Sequence, residues 1–290
     1  FIEEIAAPSQ EVAGPIKEPV SIVKTETKAK YPLPKTFSFS QLKAYESCPW
    51  QYFYSFIAKV PVRGSAQFSF GKTMHSTLQK FYQLIIEHSN VSQADLFGQN
   101  KKIAYPSAKE LLKFYEESWI DDWYESAEQK EKYRAQGLSI LKAYYDKFKD
   151  QWATPLYLEK SFTIKIGDYS LKGFLDRVDV DAGGAWQIID YKTGNPKKDL
   201  TFDDKKQLLI YQIAAQEIFR ASVKSLTFYY LTNNEPISFV GTNKDLAKTK
   251  DWIVATIEKI LSHDFTATPG HVCNSCDFNR ICPFAKLNNK

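Results

Sequence analysis

Three segments of alternating apolar and polar residues, 156–166, 169–180 and 185–192, follow one another with little between them. Gly167-Asp168 separates the first two, and Ala182-Gly183-Gly184 separates the last two. Period-two patterning broken by short turn sequences predicts an antiparallel β-meander. A helical stretch over about 204–220 comes next, then strands near 225–231 and 236–241 and a helix over 245–262. Such an order folds into a mixed sheet flanked by helices, an α/β architecture.

The meander carries an unusual set of polar residues. Its second segment contains Gly173-Phe174-Leu175-Asp176-Arg177-Val178-Asp179, and its third ends in Asp190-Tyr191-Lys192-Thr193-Gly194. Strand alternation puts the Asp190 and Lys192 side chains on one face. The intervening hairpin delivers Asp176 from the neighbouring strand. Two carboxylates so placed can hold Mg²⁺ or Mn²⁺ through oxygen ligands and leave positions for water and a phosphate. A lysine beside them can orient the attacking water and offset charge on the phosphate, so the chemistry suits phosphodiester hydrolysis. Arg177 and Asp179 read as a pair on the strand surface. Gln207 and Tyr211, four apart on the following helix, share a face.

Upstream, Pro8, Pro15, Pro19, Pro32 and Pro34 interrupt any helix, so residues 1–36 read as a linker or extended arm. A helix is expected from Ser38 or Ser40, with Ser40 as a candidate N-cap and Leu42, Tyr45 and Trp50 on its apolar face. A second is expected over about 72–88, and amphipathic helices over about 107–152. The chain has 290 residues, 43% hydrophobic and 15% aromatic, enough for a substantial core. Its net charge of +4 is compatible with a nucleic-acid partner without requiring one. No apolar run reaches the roughly 18–20 residues of a membrane span. The start, Phe1-Ile2-Glu3-Glu4, lacks a secretory n-region, so a cytoplasmic location is expected. The absence of an initial Met points to a piece of a longer polypeptide. There is no Gly-x-x-x-x-Gly-Lys-Ser/Thr loop, so ATP hydrolysis is not expected of this segment.

All four cysteines fall in a one-plus-three pattern, Cys48 and then Cys273-x2-Cys276-x5-Cys282. Two disulfides, a structural Zn²⁺ and an iron–sulfur cluster are each compatible with four such thiols.

The Asp176/Asp190-x-Lys192 run resembles the PD-(D/E)xK nuclease superfamily, specifically its RecB-like branch. Further marks appear in family order over roughly residues 37–284. Phe39-Ser40-Gln41-Leu42 through Tyr54 is similar to the branch's N-terminal helix, and Phe70-Gly71-Lys72-Thr73-Met74-His75 to its histidine motif. Gln207-x-x-x-Tyr211 matches its Q-x-x-x-Y signature, and the cysteine layout resembles its iron–sulfur variant. The position before the first catalytic acid is Leu175 where the superfamily's name has proline.

This resemblance implies a restriction-endonuclease-like core at about 156–262 within a nuclease domain spanning 37–290. It also implies a helical insertion at about 90–152 and a cysteine-rich segment at 270–284. It implies that His75, Asp176, Asp190 and the Tyr191 backbone carbonyl bind Mg²⁺ or Mn²⁺, and that Lys192 acts on the water. Glu159 would be a further ligand or an outer acid, and Gln207 and Tyr211 would contact phosphate or support the site. A 4Fe–4S cluster on the four cysteines, with structural Zn²⁺ as the alternative, would staple the two ends of the domain. The implied activity is a DNA exonuclease or end-processing domain acting on single strands or free ends. Its implied partner is a superfamily 1 helicase module in double-strand-break repair. A stand-alone nuclease of CRISPR spacer acquisition and a catalytically silent DNA-binding module are the alternative readings.

Overall fold

The fold was obtained as a computed structural model that describes residues 31–94, 105–149 and 151–286, without the side chains of 90–94. Most of the expected arm at 1–36, part of the expected insertion at 90–152 and the last four residues lie outside the described residues. The elements run β1 (Thr36–Ser38), α1 (Phe39–Ser47), α2 (Pro49–Tyr52), α3 (Ala66–Ala94), α4 (Ala108–Ser118) and α5 (Ala127–Phe148). The meander follows as β2 (Tyr157–Ile166), β3 (Tyr169–Val180) and β4 (Trp186–Lys192). Then come α6 (Phe202–Glu217), β5 (Val223–Tyr230), β6 (Glu235–Phe239) and α7 (Asn243–Leu261).

The strands form one mixed sheet in the order β1-β3-β4-β5-β6, with β2 on the other edge of β3. β2, β3 and β4 pair antiparallel in sequence, as their short turns require. β4 and β5 are parallel and are joined through α6, and β6 returns antiparallel to β5. A parallel pair needs a crossover of this kind because a tight turn cannot reverse the chain twice.

Two apolar layers cover the sheet. On one face, Leu42, Leu175, Ile188, Leu208 and Ile253 belong to a core built with α1, α6 and α7. On the other, Leu78, Tyr82, Leu111, Tyr144 and Tyr191 belong to a core built with α3, α4 and α5. Each fully buried Leu or Ile in these layers contributes about 1.5–3 kcal/mol relative to exposure.

Helix starts are set locally. Ser107/Glu110, Thr201/Asp204 and Thr242/Asp245 form reciprocal capping boxes at α4, α6 and α7. These satisfy N–H groups that the first turn otherwise leaves without partners. The first helix departs from expectation. Its N-cap is Ser38, whose Oγ accepts from Gln41 N at 3.4 Å, and not Ser40. Ser38 is also the last residue of β1, a strand too short to show periodicity, which pairs in parallel with Ser170–Lys172. Trp50 lies beyond α1, because the chain is extended at Cys48 (φ −164°) and restarts with Pro49 at the head of α2. Proline restricts the residue before it to extended backbone, which ends the helix there. α3 starts earlier than the expected 72, at Ala66, where Ser65 Oγ accepts from Phe68 N at 3.2 Å.

Arg177 and Asp179 are not a surface pair. Arg177 is 6% exposed, makes two bonds to Asp179 (2.7 and 2.5 Å) and lies over the Tyr82 ring at 3.9 Å. Its Nη1 also donates to Tyr191 Oη at 3.1 Å. α3 and α5 cover this face of the sheet, and strand periodicity alone carries no information about that cover. Among the described residues, no helix is long and apolar enough to cross a membrane.

Candidate active site

The site forms where the sheet ladder opens around Asp176. The β3–β4 pairing runs from Val180–Trp186 to Arg177–Ile189 and stops there. The next residues in register are Asp176 and Asp190. Asp176 Oδ2 accepts from Tyr191 N at 3.1 Å, so the side chain takes a bond that a main-chain partner would otherwise make. On the other side, Leu158 pairs with Arg177 and Lys160 with Leu175, which leaves Glu159 opposite Asp176 without a ladder partner. Glu159 has φ +45°, a left-handed conformation that costs on the order of 1–3 kcal/mol in a non-glycine residue. Such a twist inside a strand redirects one side chain. Here Glu159 joins Asp176 at the cleft.

His75 reaches the same place from α3. Its Nδ1 is 3.3 Å from Asp176 Oδ2, and its Nε2 is 2.9 Å from the Tyr191 carbonyl oxygen. His75, Glu159 and Asp176 each offer one ligand atom within 4.8 Å of the others. Among the described residues, this is the only group of three or more His, Cys, Asp or Glu ligand atoms so close together. Asp190 stands beside this group, with its oxygens held from the other side. Its Oδ1 accepts from Gln207 Nε2 at 2.8 Å, and its Oδ2 lies 2.6 Å from Lys192 Nζ. That ion contact lacks hydrogen-bond geometry, so the buried Oδ2 accepts no hydrogen bond. Lys192 Nζ also donates to Gln207 Oε1 at 2.9 Å, and Gln207 Nε2 donates to Tyr211 Oη at 2.8 Å. Gln207 therefore links Asp190, Lys192 and Tyr211.

The electrostatics follow from crowding acids in a half-buried place. Burial, then Asp190, and more weakly Glu159, push the Asp176 carboxyl well above its ordinary range. Burial and Asp190 raise Glu159 as well. Burial lowers His75, against the opposing pull of Asp190, which favours the neutral ring a metal requires. A set of two oxygen donors and one imidazole, short of positive charge, fits a divalent cation such as Mg²⁺ or Mn²⁺. A cleft of ≈ 540 Å³ opens onto His75, Glu159 and Asp176. A second, of ≈ 300 Å³, opens onto Lys192 and Gln207.

Gly173 serves this region by close approach. A Cβ there would come within 2.6 Å of the Phe162 ring, which packs on the strand opposite it. Phe162 in turn touches the Tyr211 ring edge-on at 5.9 Å. Glycine thus lets the aromatic wall under Tyr211 close.

The four cysteines meet in a separate recess. Cys48, in the break between α1 and α2, shares a recess with Cys273, Cys276 and Cys282. All four are free thiols. The C-terminal segment contributes a 3₁₀ turn (His271–Ser275) and is held by aromatic contacts, Trp50 with Phe284 and Tyr54 with Phe278. Gly270 N donates to Cys273 Sγ at 3.4 Å, and the backbones of Gly270 and Lys286 hold that thiol's pKa down. Burial raises Cys276 and Cys282, which are opposed by N–H groups of Phe278 and of Phe284 and Ala285 respectively. Sulfurs aimed into one recess and met by backbone N–H groups suit thiolate ligands.

The sequence reading did not single out Phe68 and Trp123. Phe68 lines the larger cleft and Trp123 packs against it. Two aromatics fifty-five residues apart give no signal of meeting.

A profile of the PD-(D/E)XK nuclease superfamily matches residues 36–283. No curated protein matches the chain. Among solved structures, a protein of Eubacterium rectale provisionally named an exonuclease is similar at 12% identity. That match covers 88% of this chain and 91% of the other, with a TM-score of 0.48. The protein SSO0001 is similar at 18% identity over 55% of this chain and 81% of its own, with a TM-score of 0.34.

Proposed function

The chain belongs to the PD-(D/E)XK nuclease superfamily, and from that premise we propose a divalent-metal-dependent deoxyribonuclease that cleaves from free or single-stranded ends. The observation that carries this reading is the convergence of His75, Glu159 and Asp176 beside the Asp190–Lys192–Gln207 network. His75, Asp176 and Asp190, with Glu159 and the Tyr191 carbonyl in support, would hold Mg²⁺ or Mn²⁺. An ion held there would supply Lewis-acid polarisation of the phosphate and activation of the attacking water.

The residues of the chain do the positioning. Lys192, whose side chain is 35% exposed, stands at the edge of the acid group, where it can hold the attacking water and meet the phosphate. Gln207 restrains Lys192 from one side and Asp190 from the other, and Tyr211 fixes Gln207. Water oxygen forms the new P–O bond and releases its proton to solvent while the opposite P–O ester bond breaks. The departing sugar oxygen takes a proton from solvent.

The four cysteines, in this reading, bind a 4Fe–4S cluster that ties the N-terminal helices to the C-terminal segment. The one-plus-three layout of Cys48 with Cys273, Cys276 and Cys282, which resembles the family's iron–sulfur variant, supports it over zinc. Residues 37–290 then act as one nuclease domain, working with a superfamily 1 helicase in double-strand-break processing. Asp176, Asp190 and Lys192 are all present, which favours an active enzyme over a silent binding module.

The test uses anaerobically prepared protein with end-labelled single- and double-stranded DNA, with Mg²⁺, with Mn²⁺ or with chelator. Degradation that needs metal and disappears in Asp190→Ala and Lys192→Ala is the expected result. Binding of DNA by cluster-loaded protein with no cutting under any metal would overturn the assignment.

A further inference from the structure

The larger cleft ends in an aromatic surface that the chemistry above does not use. Phe68 and Trp123 are 51% and 38% exposed, and their ring centroids are 5.5 Å apart. Phe68 lies seven residues before His75 on α3, and both line the cleft with Gly71 and Lys72. Seven residues of helix span about 10 Å, and positions i, i+4 and i+7 share a face. Phe68, Lys72 and His75 therefore form a row leading to the metal-binding group. Lys72 Nζ sits 5.3 Å from the Phe68 ring centroid, so a cation borders the aromatic surface.

Trp123 is held in place at a conformational cost. Its φ is +69°, an unfavourable region for a bulky side chain. Its ring lies on Gly64, where a Cβ would come within 1.9 Å. The loop around it is latched to the α3 side at three points. Thr73 Oγ1 accepts from Ile120 N at 3.1 Å, Ser69 Oγ donates to the Asp122 carbonyl at 2.7 Å, and Arg63 Nη2 to the Tyr124 carbonyl at 3.4 Å. A strained and tethered ring that remains over a third exposed is hard to explain by core packing. Burial elsewhere would have gained more.

We propose that Phe68 and Trp123 form a stacking platform for an unpaired nucleobase, with Lys72 meeting the adjoining phosphate, so that the cleft selects single-stranded nucleic acid. This rests on the nuclease reading and deepens it by naming the form of substrate. Aromatic faces bind bases regardless of sequence, and each such stack contributes about 1–3 kcal/mol. Bases inside a duplex are already stacked on one another and do not offer a free face. The platform is about two helical turns from His75, so it would hold a base near the scissile bond without touching it.

The experiment measures binding of a fluorescent oligothymidylate to Lys192→Ala protein, alone and combined with Phe68→Ala, Trp123→Ala or Phe68→Trp. Hydrolysis of methyl p-nitrophenyl phosphate, too short to reach Phe68 from the metal group, is followed in proteins that keep Lys192. Binding should weaken about 5- to 100-fold in the two alanine variants and hold in Phe68→Trp. An abasic oligomer and a blunt duplex should be insensitive to all three changes, and hydrolysis of the small ester should be unaltered. Unchanged oligothymidylate binding in Phe68→Ala, or an equal loss on the abasic oligomer, would overturn the platform. Parallel loss of small-ester hydrolysis would also overturn it, by showing that the substitutions disturb the site itself. If the parent protein cuts neither ester nor DNA, the nuclease reading fails. Base-dependent binding through Phe68 then still decides the platform.

Discussion

His75, Glu159 and Asp176 come from α3, β2 and β3, long elements with regular backbone pairing up to the residues concerned. Cys48, Cys273, Cys276 and Cys282 come from a break between two short helices and from a tail of 3₁₀ and turn. The acid group collects side chains that repel one another on a frame of long elements paired on either side of them. The cysteine group collects side chains that would bind a ligand together, on a frame of short turns rather than long elements. One region accepts a stability cost where chemistry is needed. The other has its ligands where stability is needed. Substitutions should therefore separate activity from stability, and five experiments can break or sharpen that division.

The largest effect belongs to the acid group. Lys192→Ala should lower DNA cleavage by on the order of 10²–10⁴-fold at saturating metal, measured as single-turnover rate. Asp176→Asn should also abolish cleavage while leaving the midpoint of thermal unfolding unchanged or raised, because it removes a buried charge from a crowd of acids. A large fall in that midpoint would show that the acids hold the frame together.

The cysteine group should behave in the reverse way. Joining Cys48 to Cys273 closes a loop long enough that cross-linking it is worth about 5 kcal/mol by the polymer argument. Cys282→Ser should lower the thermal midpoint by roughly 10–20 °C and remove any charge-transfer absorbance. Small-ester hydrolysis by the molecules that remain folded should persist. Full stability in that variant would leave the aromatic contacts of Trp50 and Tyr54 as sufficient fasteners.

A smaller effect is the pH dependence of the metal-free acid group. Asp176 and Glu159 have folded pKa values above their ordinary 3.8 and 4.5. The native state holds those protons longer, so their contribution is fully present below the unfolded values and is lost as pH rises through the raised ones. His75 works in the opposite direction. Its folded value is below 6.5, so its contribution is present above 6.5 and is lost as pH falls through the lowered value. Unfolding followed across pH should therefore show an alkaline loss that Mg²⁺ or Mn²⁺ cancels and that Asp176→Asn reduces to the Glu159 share. An alkaline loss of the same size in Asp176→Asn would place its origin elsewhere.

The smallest effect tests the support under the site. Tyr191 carries its hydroxyl to Arg177 on one face, while its backbone N–H and carbonyl meet Asp176 and His75. Tyr191→Phe should cost about 1–2 kcal/mol in denaturant unfolding and shift the metal concentration needed for half-maximal cleavage by a few-fold. A stability loss with no change in metal dependence would confine the Arg177 network to packing.

Much of this was legible in the chain. Alternation and turn residues set out the meander from 157 to 192, because a half-buried strand must alternate and a hairpin needs its glycines. The helical stretches read at about 204–220 and 245–262 stand within a few residues of α6 and α7. Other features lay beyond local pattern. Ser40 looked as good a cap as Ser38 until β1 paired with β3. Arg177 looked exposed until α3 and α5 covered it.

What the sequence by itself determined is the order of the elements and the residue types carried by β3, β4 and α6. Those follow from periodicity and spacing within a few residues, where chain connectivity controls distance. Only the tertiary structure decided that Glu159 turns left-handed to face Asp176, that Arg177 is buried against tyrosines, and that Trp123 lies on Gly64 beside Phe68. Each of those depends on contacts between residues distant in the chain. Their energies arise from packing and desolvation at a meeting place, which no single segment encodes.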